Sequence, residues 1–138
     1  METYFNHEKL EVYQRSLDFA EFVEKILPDV PKRMAAHDQI DRASTSIPLN
    51  IAEGNGKFTG KDRCRFFDIA RGSALECAAA LDVLSRRRII QKAEANNGKA
   101  ILKEIVSMLV GLIKSQPTDR VYEEPAAYST NHSPSQSS

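Results

Sequence analysis

The segment Gln39–Gly54, QIDRASTSIPLNIAEG, decides the fold, because two stripes of side chains run along it at helical spacing. Residues three and four positions apart lie on the same face of a helix. The apolar stripe consists of Ile40, Ala43, Ile47 and Ile51, and the polar stripe consists of Gln39, Arg42, Ser46, Asn50 and Glu53. The apolar stripe indicates a helix packed on its own core, and the polar stripe indicates a second neighbour held by hydrogen bonds.

Three further helices are predicted, which makes the chain all-α. Their ends are marked by proline, which interrupts helical hydrogen bonds, and by glycine, which adopts the left-handed conformation common at helix ends. The first two predicted helices are Asn6–Leu27 and Lys32–Glu53. The third follows a capping box at Thr59 and Asp62 and runs to Arg87, and the fourth ends by Pro117, with its start left open. Short connections favour an antiparallel up-down-up-down four-helix bundle over residues 1–116, followed by a disordered tail over residues 117–138 that is rich in Ser and Pro.

Two features of the second helix need interpretation. Pro48 lies in its interior, where proline costs about 3 kcal/mol. A single kinked helix is favoured over a break into two, because Ile47 and Ile51 keep their phase across the proline. The sequence Gly54-Asn55-Gly56 is expected to supply the left-handed residues that stop this helix.

Apolar spacing also predicts which side chains of the last two helices face the core. For the third helix these are Phe66, Ile69 or Ala70, Ser73 or Ala74, Cys77, Leu81 and Leu84, and for the fourth they are Ile101, Ile105, Met108, Leu109, Leu112 and Ile113. Cys64 and Cys77 are separated by about 20 Å along the third helix, at 1.5 Å rise per residue. A disulfide between them is excluded, and both are predicted to be reduced thiols.

Composition and motifs favour neither a membrane protein nor an enzyme. No apolar run reaches the roughly 20 residues needed to cross a bilayer, and the N-terminus is too polar for a secretory signal, so the expected compartment is the cytoplasm. His7, His37 and His132 lack the spacing of a metal site, and the segment GNGKFTGKD departs from a phosphate-binding P-loop. We therefore predict no catalytic residue, no metal and no cofactor.

Positive charge is concentrated in one part of the chain, although the formal net charge is zero. Residues 61–92 contain eight Lys and Arg against four Asp and Glu, a net charge of +4. Arginines at the end of a helix are favoured by the helix dipole alone, but they also suit a surface that binds phosphates without reading sequence. Weak anion attraction is also plausible at the start of the third helix. The candidate nucleic-acid-binding residues are Arg63, Arg71, Arg86, Arg87, Arg88 and Lys92.

The polar stripe of the second helix has a counterpart of charged residues on the third helix. Arg42 and Glu76, or Glu53 and Arg71, are expected to pair between helices or between subunits, and the alternative is a face covered by water. If the groups are buried, removal of one charged partner is expected to cost about 3–5 kcal/mol. The candidate interface residues are Gln39, Arg42, Asn50, Glu53 and Glu76.

Four stretches of the chain resemble, in order, a known family. They are HEKLEVYQRSLDFA, QIDRASTSIPLNIAEGNGK, RFFDIARGSALE and SMLVGLIKS, one in each predicted helix. The family that they resemble comprises four-helix bundles encoded in ribosomal-RNA intervening sequences and as scattered bacterial genes. The resemblance, over about residues 7–115, implies a bundle that associates into a ring, often a homopentamer. Some relatives, the accessory proteins of diversity-generating retroelements, work with a reverse transcriptase and nucleic acid through a basic surface.

The predicted function is therefore that of a non-enzymatic homo-oligomer that contacts RNA or DNA through its basic residues, with a reverse transcriptase as an implied protein partner. The alternative is a structural or protein-interaction adaptor that does not touch nucleic acid. Salt-dependent binding to RNA would distinguish the two.

Overall fold

The computed structural model describes residues 2–117, and all regular structure in this range is helical. Its four α-helices are α1 (Glu11–Ile26), α2 (Ala35–Asn55), α3 (Gly60–Arg86) and α4 (Lys92–Ser115), with 3₁₀ turns at Asn6–Lys9 and Leu27–Asp29. The all-α prediction is confirmed. The C-terminal ends of all four helices lie within two residues of the predicted positions, whereas α1 and α2 begin five and three residues later than predicted. Apart from Pro117, the predicted disordered tail lies outside the described residues.

The helices form a four-helix bundle in which each packs against two others. α2 and α3 share the most extensive contact, α3 also packs on α4, and α1 packs on both α2 and α4. Connections of only four residues between α2 and α3 and five between α3 and α4 make these neighbours antiparallel. Arg15 Nε donates to Glu104 Oε1 at 2.6 Å, which joins α1 to α4. This hydrogen bond, and a second to Asp18, raise the pKa of Arg15 above its ordinary value.

The core is made of aliphatic and aromatic side chains from all four helices. Burial of one such side chain typically contributes about 1.5–3 kcal/mol. The largest fully buried side chains are Phe19, Val23, Ile26, Ile40, Ile47, Ile51, Phe67, Leu81, Leu84, Leu102, Ile105 and Leu109. The prediction of Phe66 as a core residue is wrong, because Phe67 is fully buried and Phe66 is only half-buried.

α2 is one continuous helix through Pro48, as the phase of its apolar stripe predicts. It also continues through Gly54 and Asn55, and Gly56 caps it with a φ of −87°. Since no described glycine has a positive φ, the prediction that glycines stop α2 in a left-handed conformation is wrong. Gly54 instead permits close packing, because a Cβ there would lie 2.9 Å from Phe67 Cε1 on α3.

The start of α4, which the sequence left open, is set by a capping box. Gln91 precedes the helix, and its backbone N–H donates to Glu94 Oε1 at 3.4 Å. At the start of α3, Thr59 Oγ1 accepts from the backbone N–H of Asp62 at 3.1 Å, which is the Thr59 half of the predicted capping box. Gln91 was missed because glutamine is not among the preferred N-cap residues.

We expect Gly98→Ala to destabilise the bundle by about 1–3 kcal/mol, because the added methyl group overpacks the core. A Cβ at Gly98 would lie 2.5 Å from Phe22 Cε2 and 2.7 Å from Leu81 Cδ1. The free energy of unfolding, measured in urea, checks this. Gly111→Ala is the matched control, since a Cβ at Gly111 meets nothing within 4 Å and alanine favours the helix. Equal stabilisation of both variants would contradict the close packing at Gly98.

Candidate nucleic-acid and assembly surfaces

Four cationic side chains converge where α3 ends and α4 begins. Arg86 is the last residue of α3, Arg87 and Arg88 follow it, and Lys92 is the first residue of α4. We call these four residues the basic cluster. All four are exposed, and none forms an ion pair with another residue of the described range 2–117. Their charge is therefore available to an anionic ligand.

The turn after α3 holds Arg88 in a conformation that usually belongs to glycine. Arg88 has a φ of 65°, the left-handed region. Its backbone N–H donates to Ser85 O at 3.0 Å, and the N–H of Ile89 donates to Leu84 O at 2.9 Å. This pair of hydrogen bonds normally has glycine at the left-handed position. A non-glycine residue in the left-handed conformation costs about 1–2 kcal/mol. The chain therefore has an arginine at a position where glycine would be more stable.

The basic cluster borders a cleft with a cavity volume of about 770 Å³. The residues that line it are Asp29, Ser85, Arg86, Arg88, Ile89, Ile90, Gln91, Lys92 and Glu94. Three cations therefore face two carboxylates, and the positive end of the α4 dipole lies in the same cleft. This arrangement attracts phosphate groups more than it attracts cations.

Arg63 and Arg71 lie apart from the basic cluster. Arg63 is half-buried, and its guanidinium donates to Asn55 O at 2.7 Å and to Gln116 Oε1 at 2.8 Å. It thus joins the end of α2 to the end of α4. Arg71 Nη2 lies 3.1 Å from Asp68 Oδ1 on its own helix. The structure therefore brings together four of the six candidate nucleic-acid-binding residues.

Most of the candidate interface residues face solvent. Gln39, Arg42, Glu53 and Glu76 are exposed, and Asn50 is half-buried with its side-chain amide donating to Ser46 O at 2.9 Å. The Oγ atoms of Ser46 and Ser73, 2.9 Å apart, form the hydrogen bond that joins α2 to α3 at this face. Glu53 pairs with Lys57 at 3.7 Å, and neither predicted interhelical ion pair forms within residues 2–117.

Large apolar side chains lie among these polar residues, on the exposed sides of α2 and α3, which we call the outer face. The exposed fractions are 62% for Leu49, 46% for Ile69, 49% for Leu75 and 46% for Val83. Gly72 lies on the same side of α3 as Ile69 and Val83, and a Cβ there would meet nothing within 4 Å. Sequence reasoning left Ile69 as a core alternative to Ala70, and the structure buries Ala70 and exposes Ile69. It did not assign Leu49, Leu75 or Val83 to an exposed surface.

Within residues 2–117, no group of three or more His, Cys, Asp and Glu side chains could hold a metal ion. Burial, together with the charge of Glu76, raises the pKa of the Cys77 thiol to about 12, so that it stays protonated at neutral pH. None of the helices in the same range is long and apolar enough to cross a membrane.

Comparisons with known proteins bear on the family and the fold of the chain. A family model described as 23S rRNA-intervening sequence protein matches residues 8–111. Among solved structures, the chain is similar to a protein of unknown function from the S23 ribosomal protein family of Bacteroides thetaiotaomicron, with 29% sequence identity and a TM-score of 0.69. That similarity covers 75% of this chain and 99% of the other. Among curated proteins, none matches the chain.

Proposed function

Because the chain belongs to the 23S rRNA-intervening sequence protein family, we propose that it is a non-enzymatic homo-oligomer that binds RNA or DNA through the basic cluster. The observation that carries this proposal is the convergence, at one end of the bundle, of four exposed cations that form no ion pair within residues 2–117. Arginine and lysine in such a cluster neutralise backbone phosphates and release counterions, which gives affinity without sequence preference.

The contact between copies is proposed to be the outer face. Exposed Leu49, Ile69, Leu75 and Val83 supply apolar area, and the surrounding polar side chains supply hydrogen bonds. Glycine in a helix interior costs about 0.5–1 kcal/mol relative to alanine, and Gly72 has no neighbour in its own chain that requires it. Close approach of another copy would account for it. In the ring of five that the family resemblance implies, five basic clusters would act together and strengthen weak binding.

A titration of fluorescently labelled single-stranded RNA, followed by anisotropy at several salt concentrations, tests the proposed function. We expect binding at about 50 mM salt that weakens as the salt concentration rises. Absence of binding at about 50 mM salt would contradict nucleic-acid binding. The alternative function, an adaptor for a protein such as a reverse transcriptase, would then be favoured by capture of one defined protein after nuclease treatment.

We expect Arg88→Gly to stabilise the bundle by about 1 kcal/mol, because glycine adopts a positive φ without strain. The same change should weaken RNA binding about fivefold, the effect of losing one contact of about 1 kcal/mol. Urea unfolding and RNA anisotropy measure the two effects. Arg87→Gly is the matched control, since it removes the same charge at a residue with a φ of −86° and should bring no such stabilisation. Unchanged RNA affinity in Arg88→Gly would show that Arg88 does not contact RNA.

A further inference from the structure

Phe58 stands out because its side chain is fully exposed, at 101%. It lies in the four-residue connection between α2 and α3, and backbone hydrogen bonds hold this turn in place. The N–H of Gly56 donates to Glu53 O at 3.1 Å, and that of Lys57 donates to Gly54 O at 3.1 Å. The ring is therefore presented to solvent from an ordered turn, without a packing role in its own bundle.

The side chain of Arg63, in the first turn of α3, also holds this turn in place. Its guanidinium donates to Asn55 O at 2.7 Å and to Lys57 O at 3.3 Å, on either side of Gly56. Both acceptors are backbone carbonyls, one at the end of α2 and one in the turn, so the backbone position of Phe58 is tied to the first turn of α3. Because the backbone at Phe58 is already held, only the side chain has to be ordered when a ligand stacks on the ring.

Cations surround Phe58 in sequence. Residues 57–65 carry four Lys and Arg against one Asp, a net charge of +3. Lys57 Nζ and Arg65 Cζ each lie 5.0 Å from the centre of the Phe66 ring. Lys57 and Arg65 also meet Glu53 and Asp62, but only at 3.7 Å and on exposed side chains. Such ion pairs are weak in water and exchange readily for contacts with phosphate.

An exposed aromatic ring among cations is the chemistry that binds single-stranded nucleic acid. Bases stack on the ring while the cations neutralise the backbone, and each base offers a π face. If Phe58 instead entered an apolar pocket of a partner protein, the neighbouring cations would be buried with it. Burial of cations is costly without paired anions. We propose that Phe58 is a stacking platform for an unpaired base of a bound single strand, with Lys57 and Arg65 contacting its phosphates.

This inference rests on the proposed function and extends it in two ways. It adds a second contact region, because α3 has 27 residues and its two ends are about 40 Å apart. It also specifies the ligand as single-stranded, since a base within a duplex is not available for stacking on Phe58. The basic cluster alone would bind single and double strands through their phosphates.

Phe58→Ala tests the platform without disturbing the fold, because the ring is fully exposed. We expect its affinity for a labelled oligouridylate to fall by at least about fivefold, the lower end of the stacking contribution of one base. The dependence of affinity on salt should keep its slope, since no phosphate contact is lost. Binding to an RNA duplex should not change. Tyr4→Ala is the matched control, because Tyr4 is also an exposed aromatic residue, at 77%.

Phe58→Trp gives a direct readout, because the chain contains no tryptophan. Saturable quenching of the introduced indole by oligouridylate would support stacking. If the unaltered protein binds RNA while Phe58→Ala binds equally well and the indole is not quenched, this inference is overturned and the proposed function stands. If Phe58→Ala weakens binding but loss of the basic cluster does not, the inference stands and the basic cluster does not bind. If Phe58→Ala changes only the oligomer mass, Phe58 belongs to a contact between copies, which overturns the inference.

Discussion

Simultaneous replacement of Arg86, Arg87 and Arg88 by alanine is expected to weaken RNA binding about a hundredfold at low salt. Three contacts of about 1 kcal/mol each correspond to a change of that size. The logarithm of affinity should also fall less steeply with the logarithm of salt concentration, by about 2 units of slope per protomer, because each phosphate contact contributes about 0.7 for single strands. Anisotropy titrations across a salt series measure both effects.

The matched control for this variant is simultaneous replacement of Lys9, Lys103 and Lys114 by alanine. These three exposed lysines lie outside the basic cluster, so the control changes net charge by the same amount. We expect it to retain most of the affinity of the unaltered protein. If both triple variants lose affinity equally, net charge controls binding and the basic cluster has no special role. Unchanged affinity in the arginine variant would refute the proposed surface outright.

Gly72→Leu is expected to convert the proposed oligomer into single chains that remain helical. Leucine has a high helix propensity, and the site is open within the chain, so the isolated bundle should not be destabilised. A bulky side chain should nevertheless prevent the close approach of a neighbouring copy. Light scattering should report a mass near 15.4 kDa, with circular dichroism unchanged. Asn50→Leu and Glu76→Ala, on the same face, should weaken assembly to a smaller extent.

Gly111→Leu is the matched control for the assembly prediction. Gly111 is also an exposed glycine in a helix, and a Cβ there meets nothing within 4 Å. It lies on α4, outside the outer face, so this variant should keep the oligomer mass. Retention of the oligomer by Gly72→Leu would show that the outer face is not the contact between copies.

The bundle itself could be predicted because its signals are local. Pro28 and Pro117 mark helix ends by removing hydrogen-bond donors, and the stripe through Ile47 and Ile51 keeps its phase across Pro48. Local signals did not decide whether Phe66 or Phe67 is the core residue. Adjacent aromatic residues lie only about 100° apart around a helix, so the depth of packing against α2 decides which one is buried.

The candidate surfaces were harder to predict, because they depend on contacts between distant residues. The role of Arg63 follows from a hydrogen bond to Gln116, 53 residues away, which no spacing along the chain reveals. The left-handed conformation of Arg88 was also hidden, since arginine is not typical of that position. The basic cluster was predictable because its members are close in sequence. The exposure of Phe58 was not predicted, because it lies in a loop and no helical spacing applies to it.

The mass of the unaltered protein in solution, measured by light scattering, is the most direct test of the central claim that copies bury the outer face. We predict a multiple of 15.4 kDa, and about 77 kDa for a ring of five. A mass of 15.4 kDa at all protein concentrations would contradict the account, because the polar and apolar side chains of the outer face would then be exposed to water on a single chain.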